Sequence, residues 1–234
     1  MDAIIPLLTL IALEVILGID NIIFISILSD KMPADKRDKL RYWGIGLALL
    51  MRLALLGFIS WILKLDTTLF RLFEIDFSGK SLILFCGGLF LLFKSTKEIY
   101  INTEEDGEHA PEIKGKVSFK RMLGEIIILD IVFSIDSIIT AVGMVNELWI
   151  MYTSVIVTVI IMLIASKPIA NFIHKHPSFK ILALSFLLMI GVTLIAEGLS
   201  FHIPKGYIYF SMAFAFLVDI IQMNTVEKKK KELK

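Results

Sequence analysis

The sequence predicts an all-α polytopic membrane protein with seven transmembrane helices, arranged as two inverted three-helix repeats plus a C-terminal helix. Three observations lead to this fold class. The 234 residues are 56% hydrophobic and only 20% charged, with a mean hydropathy of +0.79, whereas a soluble domain is about 45–50% apolar. The apolar residues form blocks near the length of about 20 residues that a helix needs to cross a bilayer. Finally, one motif with two acidic residues occurs in two of these blocks.

Seven apolar blocks define the predicted spans. They cover residues 4–28, 42–63, 80–101, 122–145, 148–166, 179–200 and 205–224. The first block holds two acids and has no basic region before it, so we do not interpret it as a signal peptide.

We assign residues 1–224 to a single transmembrane domain. It comprises a first repeat at about 1–101, a polar cytoplasmic loop at about 102–120, a second repeat at about 121–200 and the extra helix at about 205–224. Residues 225–234 are predicted to form a basic cytoplasmic tail. The 102–120 loop is the segment at which we expect a protein partner, if the chain has one; no nucleic-acid partner is expected, and the oligomeric state is left open.

Positive charge is distributed unequally between the two sides of the predicted membrane domain. Nineteen Lys and Arg residues fall in the connections on one side and in the tail, and four fall on the other side. Cytoplasmic connections carry the excess of Lys and Arg. The pattern therefore predicts an N-terminus outside and a C-terminus in the cytoplasm, which requires an odd number of spans.

The duplicated motif places acidic residues inside lipid-spanning segments. The first copy reads LEVILGIDNII from Leu13 to Ile23, and the second reads LDIVFSIDSII from Leu129 to Ile139, 116 residues later throughout. A carboxylate at the bilayer centre costs about 2.5–3.5 kcal/mol on insertion scales, so such acids indicate function. The aligned polar residues are Glu14 with Asp130, Asp20 with Asp136, and Asn21 with Ser137.

An odd number of spans separates the two copies, so the second copy crosses the bilayer in the opposite direction to the first. Inverted repeats of this kind place substrate sites near the midplane, at the interface between the repeats. Other polar residues within the spans are accessory candidates, namely Glu197, Glu125 and Ser134. Arg52 lies deep in the second span, where it is positioned to pair with one of the acids.

The spacing of the two acids leaves two solutions open. Residues six apart on a regular helix differ by about 120° around the axis and about 9 Å along it. Glu14 and Asp20 therefore face one point only if the helix unwinds, for which Gly18 is the candidate break, with Ser134 as its counterpart. Alternatively, both helices stay regular and different acids serve successive ion positions.

The candidate ligands are all hard oxygen donors: Glu14, Asp20, Asn21, Asp130, Asp136 and Ser137. Carboxylate, amide and hydroxyl oxygens suit Mg²⁺, Ca²⁺ and Mn²⁺ better than Cu⁺ or Zn²⁺. An anionic substrate would face these carboxylates unpaired. The chemistry alone therefore predicts a hard divalent cation, without deciding which one.

At these residues the chain resembles the TerC family of integral membrane proteins, which belongs to the lysine-exporter superfamily. Further matches are the segment GGLFLLFK from Gly87 to Lys94 and the run from Ala196 to Tyr207. The resemblance covers essentially the whole chain. It implies a multi-pass protein of the bacterial inner membrane with seven helices in two three-helix repeats, and it implies manganese export.

The leading hypothesis is thus a secondary transporter that exports Mn²⁺, with manganese as the transported ion and no catalytic cofactor. The alternatives are export of Ca²⁺ or another divalent cation, and a non-transporting membrane scaffold that assists metal loading of exported proteins. We do not expect an enzyme, because four acids in symmetric copies differ from an aspartyl-protease pair. The sequence has no G-x-x-x-x-G-K-[ST] motif for ATP, so transport would be driven by an ion gradient, the membrane potential or a separate energising subunit.

Overall fold

A computed structural model describes residues 3–72, 75–104, 118–145 and 147–232. Within these residues the fold is almost entirely helical, which confirms the predicted all-α class. The described residues form seven long helices and one short helix, together with a 3₁₀ turn at Leu63–Asp66 and two short strands. The helices are α1 (Ile4–Asp30), α2 (Ala34–Gly57), α3 (Ile59–Ile62), α4 (Gly79–Glu104), α5 (Phe119–Met144), α6 (Leu148–Lys175), α7 (Pro177–Gly198) and α8 (Lys205–Glu232).

Six helices in the described part of the chain are long and apolar enough to cross a bilayer: α1, α2, α5, α6, α7 and the Gly206–Met223 portion of α8. The seventh long helix, α4, has 26 residues, but its uninterrupted apolar stretch between Lys80 and Lys94 is shorter than a full crossing requires. The passage of α4 through the membrane therefore stays a prediction. α4 packs along α7 in the most extensive helix contact of the described residues.

The helices pair as two inverted repeats should. α1 packs mainly on α6, α2 packs on α5 and α6, and α4 packs on α7. The two repeats are compared by exchanging α1 for α5, α2 for α6 and α4 for α7. This exchange converts the α1–α6 contact into the α2–α5 contact, and it maps the α4–α7 contact onto itself. A two-fold axis that relates the two repeats requires this exchange.

The α4–α7 contact is close because small residues lie at it. A Cβ atom added to Gly88 would lie 2.6 Å from the carbonyl oxygen of Gly191, and one added to Gly198 would lie 2.7 Å from the carbonyl oxygen of Ser81. Small residues allow helix backbones to approach each other in membranes, where van der Waals packing replaces the hydrophobic effect as the driving force.

Several boundaries differ from the predicted ones. α2 begins at Ala34 and ends at Gly57, earlier than the predicted 42–63 block, because its first turns are polar and lie outside the apolar stretch. α6 continues through Pro168 to Lys175, and α8 continues through most of the predicted 225–234 tail to Glu232. Most of the predicted 102–120 loop, residues 105–117, lies outside the described residues.

A β-hairpin, which the sequence analysis did not predict, precedes α4. Strands β1 (Thr68–Leu72) and β2 (Ile75–Ser78) pair antiparallel, and the rings of Phe70 and Phe77 stack across them with centroids 5.2 Å apart. The Ser200 hydroxyl, just after α7, donates to the carbonyl of Asp76. The hairpin therefore lies over the end of α7 and the start of α4, and we call this end of the molecule the hairpin face.

The opposite end, the tail face, holds the ends of α1, α4 and α6 and the starts of α2, α5 and α7. Ion pairs join these helices across the face. They link Lys31 with Glu98, Lys94 with Glu125, Asp38 with Lys167, and Asp30 with His174. Lys31, Lys94 and Lys167, which belong to the connections predicted to be cytoplasmic, thus lie together at one end of the structure.

Candidate functional site

The centre of the molecule holds a buried arginine between the two repeats. Arg52 on α2 is 3% exposed, and Glu14 and Asp130 are similarly buried. Its Nη1 donates to Glu14 over 3.1 Å, while its Nη2 and Nε donate to the Oδ1 atom of Asp130 over 2.9 and 3.1 Å. A charge-assisted fork of this kind fixes both partners in position. One guanidinium thus joins the first acid of each repeat. The deep position of Arg52 in the sequence had suggested pairing with only one acid.

Two further polar side chains complete this group, which we call the arginine junction. Asn21 donates its amide to Asp130 Oδ1 at 3.4 Å, and the Ser134 hydroxyl donates to Asp130 Oδ2 at 3.2 Å. The Ser137 hydroxyl donates to the carbonyl of Ser134 at 3.2 Å and lies near the Glu14 carboxylate. Because Asn21 meets Asp130 while Glu14 meets Ser137, α1 and α5 run in opposite directions.

The second acid of each repeat faces a different place. Asp20 and Asp136 both line a cavity of about 40 Å³ that lies beside the junction. One water requires about 10–15 Å³ on this measure, so the cavity has room for a small ion with one or two waters. Its other polar lining residues are Arg52, Ser137, Thr193, Glu197 and Tyr209, and apolar side chains of α1, α5, α7 and α8 close the rest.

The cavity lies next to a larger one that leads towards the hairpin face. This vestibule measures about 470 Å³ and shares Asp136 and Glu197 with the inner cavity. It is lined by hairpin and helix-end residues, including Asp66, Asp76, Lys80 and His202. Two carboxylates therefore stand where the buried chamber meets the wider, more polar space.

The candidate helix break at Gly18, one of the two solutions that the spacing left open, is absent from the structure. α1 is an uninterrupted α-helix from Ile4 to Asp30, and α5 is equally regular through Ser134. Gly18 instead accommodates a neighbour, because a Cβ atom there would lie 3.0 Å from the sulfur of Met162 on α6. Since the helices are regular, Glu14 and Asp20 face different directions, which is the second of the two solutions that the spacing allowed.

The accessory candidates separate in the same way. Glu197 lines the cavity with Asp20 and Asp136, and Ser134 supports the arginine junction. Glu125 does not line the cavity, which corrects its place among the accessory candidates. It lies more than one turn nearer the tail face than Asp130, and its carboxylate accepts from Lys94 and Arg121.

Two residues of the cavity were missed by sequence reasoning. Thr193 is a buried hydroxyl in an apolar helix, and Tyr209 comes from α8, the extra helix outside the two repeats. A threonine four residues before the candidate Glu197, and so on the same helix face, was an available signal. No sequence pattern marked Tyr209, because its role depends on how α8 docks against α7.

Among the described residues, no group of three or more His, Cys, Asp and Glu side chains lies close enough to hold a metal ion. The four acids therefore do not form the single cluster expected from their matching depth. The physical reason is that α1 and α5 are regular, so that Glu14 and Asp130 face Arg52 while Asp20 and Asp136 face the cavity. The structure thus defines a class: a helical membrane protein of inverted repeats with charged groups buried at the repeat interface.

The model of the integral membrane protein TerC family matches residues 1–232, and the chain belongs to this family. The confirmed family implies a role in membrane transport or as a membrane scaffold. No solved structure matches the chain significantly.

Curated relatives agree with this assignment. The chain is 50% identical over 214 residues to the UPF0053 inner membrane protein YoaE of Escherichia coli, covering 92% of this chain and 41% of YoaE. It is 49% identical over 222 residues to a UPF0053 protein of Haemophilus influenzae, covering 95% of this chain and 94% of that protein. The UPF0053 protein YegH of Escherichia coli is 44% identical over 227 residues, with 97% of this chain and 43% of YegH covered. The chain therefore spans less than half the length of YoaE and YegH.

Proposed function

We propose that this protein is a secondary transporter that exports a hard divalent cation, Mn²⁺, through the cavity between its two repeats. The observation that carries the proposal is that Asp20 and Asp136, one from each repeat, line the same buried chamber, which adjoins a vestibule. Two carboxylates offset the charge of one divalent ion, and Ser137, Thr193 and Glu197 are further oxygen-bearing residues that line the chamber. Hard oxygen donors of this kind are the ligands that Mn²⁺ prefers.

The positions of these groups support transport rather than static binding. The chamber is small, is lined by residues of both repeats and shares two carboxylates with the vestibule at the hairpin face, whereas ion pairs cross the tail face. Transporters with inverted repeats expose such a central site to each side in turn, by rocking one repeat against the other. Opening towards the tail face would require the pairs Lys31–Glu98 and Asp38–Lys167 to separate.

The deciding experiment is metal flux in sealed vesicles that contain the purified protein. We expect Mn²⁺ to move down its gradient in protein-containing vesicles and not in empty ones. Parallel assays with Ca²⁺ and Mg²⁺ rank the cations, and a preference for Ca²⁺ would transfer the proposal to the calcium alternative. Absence of flux for all three ions, in protein shown to be folded, would leave the scaffold that assists metal loading of exported proteins.

We further propose an orientation in the bacterial inner membrane with the hairpin face outside and the tail face in the cytoplasm. The argument is the excess of Lys and Arg at the tail face. Single cysteines introduced at Asp35 and at Thr68, in a Cys86→Ser background, should be labelled from the cytoplasmic and external sides respectively. Reversed labelling in intact cells would turn export into import with the same site.

Proton exchange is the coupling that we propose for this cycle. Carboxylates must be deprotonated to bind a metal ion, so binding releases protons and weakens as the pH falls. Purified protein should release protons into weak buffer when Mn²⁺ is added, and its Mn²⁺ affinity should decrease from about pH 8 to about pH 5. An affinity that stays constant across this range would leave a metal uniporter.

A further inference from the structure

The four acids obey the two-fold symmetry of the repeats, but the cation between them does not. Arg52 comes from α2, in the first repeat. By the 116-residue offset of the motif copies, the counterpart of Arg52 in the second repeat is Pro168 of α6. The neighbouring Lys167 is exposed and pairs with Asp38 at the tail face, away from the buried acids. A single positive charge therefore breaks the symmetry of an otherwise matched site.

The arginine junction has the composition of a cation site. Two buried carboxylates, from Glu14 and Asp130, approach one point from opposite repeats, and the amide of Asn21 and the hydroxyl of Ser134 lie around them. These are the same oxygen-bearing groups that line a hard-metal site. The guanidinium occupies that point, covalently attached and 3% exposed.

We propose that Arg52 is a tethered cation that takes the place of a second divalent ion, and so sets the number of ions bound by the protein to one. The proposal rests on the function proposed above, in which the transported ion binds between Asp20 and Asp136. Arg52 forms its ion pairs with the other two acids, Glu14 and Asp130. It also lines the cavity, where its positive charge weakens ion binding and so favours release.

The consequence is a defined response to removing the charge. Without the guanidinium, Glu14 and Asp130 become two unpaired buried carboxylates, which are costly to bury. A divalent cation would offset that charge fully, whereas Arg52 offsets half of it. A variant that lacks Arg52 should therefore recruit a second metal ion and depend on it for stability.

The test counts Mn²⁺ bound to the purified full chain in detergent, by isothermal titration and by loss of the free Mn²⁺ electron-spin-resonance signal. We expect about one ion per chain in the wild type and about two in Arg52→Gln. The triple variant Glu14→Gln/Arg52→Gln/Asp130→Asn removes the second site together with the arginine and should return the count to one. Arg71→Gln, an exposed arginine of β1, is the matched control and should bind as the wild type does.

Stability supplies a second measurement in case Arg52→Gln folds poorly. A ligand that binds only the folded state raises its stability by mass action. Added Mn²⁺ should therefore raise the thermal midpoint of Arg52→Gln more than that of the wild type or the triple variant. An Arg52→Gln protein that is unfolded both with and without Mn²⁺, while the triple variant folds, would overturn the proposal.

The outcomes separate this inference from the proposed function. One ion in both the wild type and Arg52→Gln would reject the tethered-cation role and leave the transport site intact. No ion in the wild type, with one ion in Arg52→Gln that is lost in the triple variant, would keep the role of Arg52 and reject the cavity as the site of the transported ion.

Discussion

The two pairs of symmetry-related acids have the same origin in the sequence and opposite environments in the structure. Glu14 and Asp130 are closed off by the forked guanidinium of Arg52. Asp20 and Asp136 line a chamber that adjoins the vestibule at the hairpin face. The difference shows that symmetry determines where acids are placed, while one unsymmetrical residue pairs with only two of them.

The two pairs also differ in what they contribute to stability. Breaking a buried ion pair by removing one partner costs about 3–5 kcal/mol, because the remaining charge is left without compensation. The junction pair should therefore matter for folding. The cavity pair should matter for transport, because its carboxylates line the proposed ion site. Its removal should not destabilise the fold, because removing a carboxylate from a buried cavity also removes the cost of burying its charge.

The largest effect should come from the cavity pair in a transport assay. We expect Asp20→Asn and Asp136→Asn each to reduce Mn²⁺ flux to the level of empty vesicles while the protein remains folded. The amide keeps the volume and loses the charge that offsets the desolvation of a divalent ion. Flux assays and size-exclusion profiles measure the two properties, and Asp35→Asn, an exposed aspartate at the start of α2, is the matched control. Wild-type Mn²⁺ flux in both variants would show that Asp20 and Asp136 are not required for transport.

The next effect concerns stability and compares the two members of the junction. Asp130→Asn should lower the free energy of unfolding by about 3–5 kcal/mol, because Arg52 would lose its forked partner. Glu14→Gln should cost less, on the order of 1–3 kcal/mol, since Arg52 keeps Asp130 and the amide oxygen still accepts a hydrogen bond. Denaturant titration in detergent gives both values. Equal losses of unfolding free energy in the two variants would mean that Asp130 stabilises the buried arginine no more than Glu14 does.

A smaller effect should arise where α4 supports the wall of the cavity. Gly88→Ala would bring a methyl group to 2.6 Å from the carbonyl of Gly191, and overpacking of this kind costs about 1–3 kcal/mol. Because α7 carries Thr193 and Glu197, its displacement should reduce Mn²⁺ flux as well as stability. Gly124→Ala, where an added Cβ meets nothing within 4 Å, is the control that should leave both unchanged.

The smallest effect is expected far from both pairs. Lys229→Gln removes one of several positive charges in the basic segment that follows the last predicted span. Membrane orientation depends on the summed Lys and Arg of all short connections, so one charge should change neither orientation nor flux. A measurable loss of flux would instead indicate that this segment takes part in transport.

Much of the fold could be predicted because lipid restricts what a chain can do. Backbone polar groups must be satisfied within each span, so apolar blocks become helices, and the offset of 116 residues between motif copies indicated the inverted repeat. The β-hairpin and the extent of α6 and α8 were not predictable in this way. They lie at or beyond the apolar blocks, where hydropathy no longer selects one conformation and local packing decides.

The sequence by itself determined the fold class, the family and the residues that carry the buried charge, because charged groups in apolar helices stand out against their surroundings. Only the tertiary structure decided how these charges are shared. The pairing of Arg52 with Glu14 and Asp130, and the joining of Asp20, Asp136 and Glu197 around one cavity, depend on how regular helices are rotated and packed. Sequence spacing places a residue on a helix face, and the neighbouring helices determine what that face meets.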